Sequence, residues 1–470
     1  MLRDRLKTMS EVTITFLGAT ETVTGSRFLV TTKSSKVLVD CGMFQGSKEI
    51  RQKNWEPFPV DVKSIDAVVL THAHLDHCGY LPLLVRQGYK NPIHSTHYTK
   101  EIATLILRDS AHLQEVDAKF AAEKKYSEHA EPKPLYTSQD VEATLKLFID
   151  HEYRVPIQLS EDVQTTFFPS GHILGSSFIV LEASGKIILF TGDLGRDNHP
   201  LLSVPDAPPA LGVDALITES TYGNRVHDTS VDSFADEINA GLARGGKILI
   251  PAFAVDRTEV ILMALRSLIE EKKIPPVPIY VDSPMAIAAL EHYRHAIAEN
   301  SSEIRPGVSE RWKNQDPFDA GSLKLLTTTD ESKSFKEQKG LGILIAASGM
   351  ASGGRVVHHL KNLLPDSKNT VILVGFQAAG TRGRQLEDGA QKVKIHAVWV
   401  PVNAHIRKVE SFSVHADSDE LIKWLSQISK PSHTYIVHGE ADSQSAMKSR
   451  IEKELGWNAI IPKSSQVFSV

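Results

Sequence analysis

The heptapeptide Thr71-His-Ala-His-Leu-Asp-His77 packs four cation-binding side chains, His72, His74, Asp76 and His77, into six positions. Neutral imidazole and carboxylate are good ligands for zinc and similar divalent ions. The apolar residues Ala67–Leu70 just before it are of strand type, so the four side chains are predicted to stand where a buried strand gives way to a loop. Side chains two apart on an extended segment share a face, which lets His72 and His74 reach one ion. Asp76 and His77, on the turn that follows, can then reach a second. Burying these groups without partners would cost about 1–3 kcal/mol each, which favours a cation over a chance cluster of polar loop residues.

Four other segments offer ligands at the ends of strand-like runs, where a rigid scaffold can mount binding groups. Phe168–Ser176 presents His172 in a glycine-flanked turn. Ile187–Gly195 presents Asp193 between Gly192 and Gly195. Ser411–Asp417 presents His415 just before a predicted helix, Asp417–Ile428, and Tyr435–Glu440 presents His438 beside a glycine. A lone histidine in a turn is more often a hydrogen-bonded loop residue. Spacing alone does not decide which of His415 and His438 touches metal.

The HxHxDH pattern, the Gly171-His-Ile-Leu-Gly-Ser176 loop and Thr191-Gly-Asp193 resemble the metallo-β-lactamase fold, and Val37-Leu-Val-Asp40 looks like its first motif. Later segments narrow the likeness. Leu216–Gly223, Pro251–Arg257, Val281–Ala286, Ala347–Arg355, Ser411–Asp417 and Val437–Glu440 resemble, in order, the β-CASP nucleases, in which a nucleic-acid-clamping domain is inserted into that fold. The resemblance covers about residues 11 to 468. It implies an αββα sandwich with an inserted parallel α/β β-CASP domain, and a zinc-dependent ribonuclease with two Zn2+ per chain. His72, His74 and His172 would hold one ion and Asp76, His77 and His438 the other, with Asp193 bridging and Asp40 supporting the ligands from behind. A metal-bridging hydroxide would hydrolyse the RNA phosphodiester bond, with Asp76 essential to the chemistry. Glu219 and His415 match the family's carboxylate–imidazole pair near the leaving group, His415 as general acid. His438 is of the RNA-acting type, since DNA-acting members carry an apolar residue there. Ser348, Gly349, Arg355, Arg382 and Arg384, in glycine-rich turns, are expected to meet the RNA backbone.

The implied substrate is single-stranded RNA, cut endonucleolytically, with 5′-exonuclease action a further mode. A small-ester or thioester hydrolase on the same metal core and a catalytically silent RNA-binding subunit are the alternatives. The inserted clamp counts against the first, and the intact ligand positions count against the second. The chain resembles the minimal bacterial form of the architecture.

These residues need a large scaffold. At 470 residues the chain exceeds one ordinary core, and its 41% hydrophobic and 23% charged content is that of a globular protein. The formal net charge of −5 supplies no global attraction for nucleic acid, so binding must be local and its salt dependence modest. Two cysteines, Cys41 and Cys78, exclude a disulfide framework and suit a reducing cytoplasm. Met1–Met9 lacks the apolar core of a signal peptide, and no stretch approaches a membrane span. A homodimer is one expected assembly. Short strands are predicted at Thr13–Leu17, Ser26–Thr31, Lys36–Val39 and Ala67–Leu70. Helices follow at Thr99–Lys125 and Ser138–Phe148, with a solvated charged run over Glu123–Lys133. From Ala215 strands and helices alternate (Ala215–Thr218, Val231–Ala243, Lys247–Ile250, Thr258–Glu271, Ile279–Val281), which predicts a parallel sheet extended by Leu341–Ala347 and Thr370–Gly375. Strands near His396–Val400 and Thr434–Val437 are expected to return to the first domain. The expected division is 1–208 with 395–470, and 209–394 as the insertion.

Overall fold

The computed structural model describes residues 12–124, 132–227, 232–338 and 340–470. Two seven-stranded sheets face each other. The first runs Val467–Ser469, Thr13–Phe16, Phe28–Thr31, Lys36–Val39, Ala67–Val69, Ile93–Thr96, Phe148–His151. The second runs Ala459–Ile460, His433–Ile436, Ala215–Thr218, Lys186–Phe190, Ser177–Ala183, Val163–Pro169, Ile157–Gln158. Their central strands are almost wholly apolar because both faces are covered. Val37, Val39, Ala67 and Val69 point into the core between the sheets. Leu38 and Val68 point the other way, into a core shared with helices Leu81–Arg86, His97–Lys124 and Ser138–Leu145. On the far side, Phe178, Val180 and Leu189 pack with Leu421, Leu425 and Met447 of helices Ser418–Leu425 and Ala441–Arg450. The layering is the αββα sandwich that the sequence implied.

The insertion is a six-stranded, all-parallel sheet in the order Leu323–Leu325, Ile279–Asp282, Gly342–Ala346, Lys247–Pro251, Thr370–Leu373, His405–Lys408. Its helices include Asp232–Ala243, Arg257–Glu270, Pro284–Ala298 and Arg355–Leu363. One buried cluster joins Leu201, Ile173 and Leu174 of the sandwich to Ala252, Val255 and Tyr293 of the insertion, so the two domains share a core.

Pairing corrects two strand expectations. Ala215–Thr218, expected to open the inserted sheet, lies between Lys186–Phe190 and His433–Ile436 in the sandwich, parallel to both. The segment near 396–400 does not return to the sandwich, because Val398–Pro401 folds back on Lys392–Ile395 as a two-stranded hairpin. His405–Lys408 then completes the inserted sheet beside Thr370–Leu373. Ser220, Arg225 and His227 still bond His438, Ser418 and Asp417 of the sandwich, so we infer that the insertion begins after residue 227 and ends after residue 408, later at both ends than the expected 209–394. The helix expected to reach Phe148 stops at Leu145, since Phe148–His151 is claimed as an edge strand by Ile93–Thr96. Asp417, expected as the first helical residue, is the cap whose carboxylate accepts from the N–H groups of Asp419 and Glu420. Met1–Met9, Lys125, the centre of the charged run and Val231 lie outside the described residues. Among those described, no helix is long and apolar enough to cross a membrane.

Glu303 of the insertion grips the loop that carries His172: its Oε2 accepts from Gly175 N at 2.5 Å. Burial pushes its carboxyl up to about 7, against a partial opposing effect of that hydrogen bond. A raised folded-state value means the folded form holds the proton better than the unfolded chain. The stability it contributes is therefore full below about pH 4.5 and is lost as pH rises through about 7. Thermal denaturation should show the melting temperature falling over roughly pH 5 to 7. In Glu303→Gln, which keeps the acceptor but does not ionise, this part of the fall should vanish; an unchanged profile would contradict the assignment.

Candidate metal centre

The side chains singled out by sequence meet where strand ends converge. Ala67–Val69 delivers His72 and His74 on an extended stretch, and a one-turn helix, Leu75–Cys78, carries Asp76 and His77. His172 comes from the loop between Val163–Pro169 and Ser177–Ala183, Asp193 from the end of Lys186–Phe190, and His438 from the end of His433–Ile436. His72, His77, His172, Asp193 and His438 are all buried. His72, His74, His172 and Asp193 each present an atom within 4.8 Å of the others, and so do Asp76, His77 and His438.

Hydrogen bonds on the far side of each ring fix which nitrogen faces inward. Thr71 Oγ1 gives its own proton to Asp40, at 2.9 Å, and so accepts from His72 Nδ1 at 3.1 Å. His74 Nε2 donates to the Val255 carbonyl at 3.2 Å, and His172 Nδ1 to the Val414 carbonyl at 3.2 Å. Each ring's remaining nitrogen then carries a lone pair. His74 Nδ1 lies 3.2 Å from His72 Nε2 and 3.1 Å from His172 Nε2. Three inward lone pairs at such distances repel unless a cation lies between them. Tetrahedral zinc with bonds of about 2.0–2.1 Å to nitrogen or oxygen sets its ligands about 3.3 Å apart. Asp193 Oδ2 completes the set, 3.4 Å from His72 Nε2 and 3.6 Å from His172 Nε2.

The other cluster has the same spacing. His77 Nε2 is 3.2 Å from His438 Nε2 and 3.5 Å from Asp193 Oδ1, and His438 Nε2 is 3.3 Å from Asp76 Oδ2. His77 Nδ1 is anchored by Asp40 Oδ2 at 2.8 Å, and His438 Nδ1 by Thr221 Oγ1 at 3.0 Å. Asp193 Oδ1 is buried and accepts no hydrogen bond, the condition of a carboxylate oxygen reserved for a metal. The residues present therefore fit a pair of zinc-type cations.

Electrostatics differ between the two halves. Burial, followed by the charge of neighbouring histidines, holds His72 and His172 well below the usual imidazole value, and burial lowers His74. Burial acts the same way on His77, but the Asp193 and Asp40 carboxylates outweigh it and raise the ring to about 10. Burial would lift Asp76, yet the His438 hydrogen bond and the charge of His77 hold it below the carboxylate range. Burial pushes the Cys41 thiol up to about 12 and Cys78 well above its ordinary value. Both cysteines are free and stay protonated beside the site.

Glu219 and His415 adjoin this centre. His415 Nδ1 lies 3.3 Å from Glu219 Oε2, and the His415 ring is 4.4 Å from that of His172. Glu219 also lies within the reach of a metal group with Asp193 and His438. Its oxygens are spent, however, accepting from Leu194 N at 2.6 Å, from Thr221 N at 3.4 Å and from His415. The RNA-contact expectations divide. Ser348 lines an interdomain cleft of about 520 Å³ with Trp55, Phe253 and Thr381. Gly349 is pressed on Phe253, where a Cβ would come within 2.7 Å of the ring. Arg355 is committed to the fold, bonding Asp282 at 2.6 Å and the Leu326 carbonyl at 2.9 Å. Arg382 likewise bonds the carbonyls of Ala351 and Lys394. These two guanidinium groups bond within the insertion. Arg384 lines a smaller pocket with Tyr222 and Ser413 beside His415. Thr71, Thr221 and the carbonyls of Val255 and Val414 escaped the sequence reading. Thr71 adjoins the histidine motif, but a backbone carbonyl leaves no mark in residue type.

Three family models match the chain: the metallo-beta-lactamase superfamily over residues 23–225, the Beta-Casp domain over 258–386, and the Zn-dependent metallo-hydrolase RNA specificity domain over 399–462. The chain is 35% identical to a ribonuclease of Thermus thermophilus over 92% of its own length and 94% of that protein. It is 32% identical to an RNase J-like protein of Methanocaldococcus jannaschii, over 98% of this chain and all of that one (100%). A transcription termination factor, FttA, of the same archaeon is 30% identical over 91% of this chain and 67% of its own length. With the αββα sandwich, the inserted parallel sheet and the paired histidine–aspartate clusters, these matches show that the chain belongs to the β-CASP ribonuclease family of the metallo-β-lactamase superfamily.

Proposed function

We propose that this chain is a zinc-dependent ribonuclease that hydrolyses phosphodiester bonds in single-stranded RNA. The observation that carries the reading is the Asp193 carboxylate, which turns Oδ2 to the His72–His172 side and Oδ1 to the His77–His438 side. His72, His74 and His172 would hold one Zn2+, and Asp76, His77 and His438 the other, with Asp193 shared. When bound, the ions would supply Lewis-acid polarisation of the phosphodiester and activation of the attacking water.

The remaining residues act on protons and on placement. Glu219 is buried and pinned by backbone N–H groups, so it orients His415 through Nδ1. His415 Nε2 makes no hydrogen bond to the described residues and is the nitrogen from which a proton can pass to the leaving oxygen. Trp55, 60% exposed, offers a base-stacking face on one wall of the cleft, and Ser348 lies on the inserted wall. A cleft of this breadth suits a polymer better than a small ester.

Gly42 leaves no room for a side chain: a Cβ there would lie 1.6 Å from the Asp76 carbonyl oxygen. Gly42→Ala should displace Asp76 and lower zinc content with activity; a fully loaded, active variant would contradict the close packing. Purified protein should be tested on 5′-labelled single-stranded RNA with added zinc. Internal products or released mononucleotides that disappear in Asp76→Ala are expected, and the product pattern separates endonuclease from 5′-exonuclease action. No cleavage by zinc-loaded wild type would overturn the reading in favour of a silent RNA-binding subunit. His438→Ala should lose zinc. His415→Ala should keep zinc and lose roughly 10²–10⁴ in rate. The opposite pattern would exchange their roles.

A further inference from the structure

The two halves of the metal centre are braced differently, since only His74 among the histidines is backed by a residue of the insertion. His77 and His438 are backed by Asp40 and Thr221, both in the sandwich. His74, by contrast, is backed by the carbonyl of Val255, a residue of the insertion. Asp256 follows directly and is fully buried. Its Oδ2 accepts from His199 Nε2 at 2.5 Å, and His199 belongs to the sandwich. His199 Nδ1 accepts in turn from Leu201 N at 3.2 Å and Leu202 N at 2.8 Å, so the ring is locked from both sides as the tautomer that donates to Asp256. Tyr293 of the insertion, whose hydroxyl Asp256 keeps protonated after burial has raised it, accepts from Leu174 N at 3.0 Å. Leu174 lies two residues past His172. A buried polar chain thus runs from sandwich to insertion and back, ending on the loops of two zinc-binding histidines.

We propose that His199 and Asp256 are positioning residues that dock the insertion onto the His72–His74–His172 cluster, so that zinc in this cluster, unlike zinc in the Asp76–His77–His438 cluster, is held only while the domains are docked. Resting on the two-ion reading above, the inference follows from reach. With Asp256 pinned to His199, the neighbouring Val255 carbonyl is fixed on His74 Nε2, which keeps Nδ1 as the lone-pair nitrogen. Releasing the pin frees the ring to rotate or to exchange tautomers. Loss of a hydrogen bond behind a metal-binding histidine typically weakens metal affinity about 10–100-fold.

The test is zinc titration with measurement of bound metal per chain on wild type, Asp256→Ala, Asp256→Asn, Asp76→Ala and the Asp76→Ala/Asp256→Ala double variant. Wild type should bind two ions. Asp256→Ala should hold one with unchanged affinity and the other about 10–100-fold more weakly. Asp256→Asn retains an acceptor for His199 and should restore both. Asp76→Ala should lose the other ion, so the double variant should hold neither tightly. Asp256→Ala keeping both ions at wild-type affinity, or a double variant still binding one, would overturn the inference. If circular dichroism shows Asp256→Ala unfolded, Tyr293→Phe carries the test, because it removes only the hydroxyl that links Asp256 to Leu174 N and leaves Asp256 and His199 in place. It should weaken the same ion, and unchanged affinity overturns the proposal. A wild type that binds a single ion would defeat the two-ion reading itself and this inference with it.

Discussion

The structure turns on inward-facing lone pairs that the protein cannot satisfy by itself. His72, His74 and His172 each spend their N–H outward, on Thr71, Val255 and Val414, and converge at 3.1–3.2 Å with no proton left to share. Asp193 adds an oxygen that accepts no hydrogen bond. A buried cluster of this kind destabilises a folded chain unless a cation completes it. The rest of the sandwich can be understood as the means of tolerating that cost: strands with both faces buried, ending together, and loops too short to let the ligands relax away.

Supporting bonds give the arrangement its rigidity. Asp40 is the clearest case, since one carboxylate takes Thr71 N, Thr71 Oγ1 and His77 Nδ1. It thereby fixes the tautomer of His77 directly and of His72 through Thr71. One residue thus orients a ligand in each half of the centre. The insertion adds a second layer of support from another direction, through Val255, Tyr293 and Glu303, on the loops of His74 and His172. The shared apolar core between the domains makes this support firm, because separating them would expose Leu174, Val255 and Tyr293 together.

The candidate ligands were legible because metal binding demands particular residue types at particular spacings. His72 to His77 declares itself within a heptapeptide, and the later motifs in order identify the family. Strand order was less legible. Ala215–Thr218 looks locally like any parallel strand, and only its neighbours, Lys186–Phe190 and His433–Ile436, assign it to the sandwich. The bonds of Arg355 and Arg382 were hard to foresee for a related reason. Guanidinium groups in glycine-rich turns suit phosphate, but they equally suit an aspartate such as Asp282 or a carbonyl such as that of Lys394, and the sequence does not reveal which lies nearby. Braces made of backbone carbonyls are invisible in principle, because any residue could supply them.

The overall charge of −5 is then less of an obstacle to an RNA substrate than it first appears. Much of the local negative charge, Asp40, Asp76 and Asp193, is spent inside the metal centre, and two divalent cations would reverse its sign where the scissile phosphate must sit. The field that attracts substrate would thus be created by the bound ions rather than by a basic surface. His415 stands beside the half of the centre that the insertion braces, 4.4 Å from His172. Val414, which orients His172, is the residue immediately before His415. The backbone that holds His172, a candidate metal ligand, therefore also holds the proposed proton donor, and neither can shift without disturbing the other.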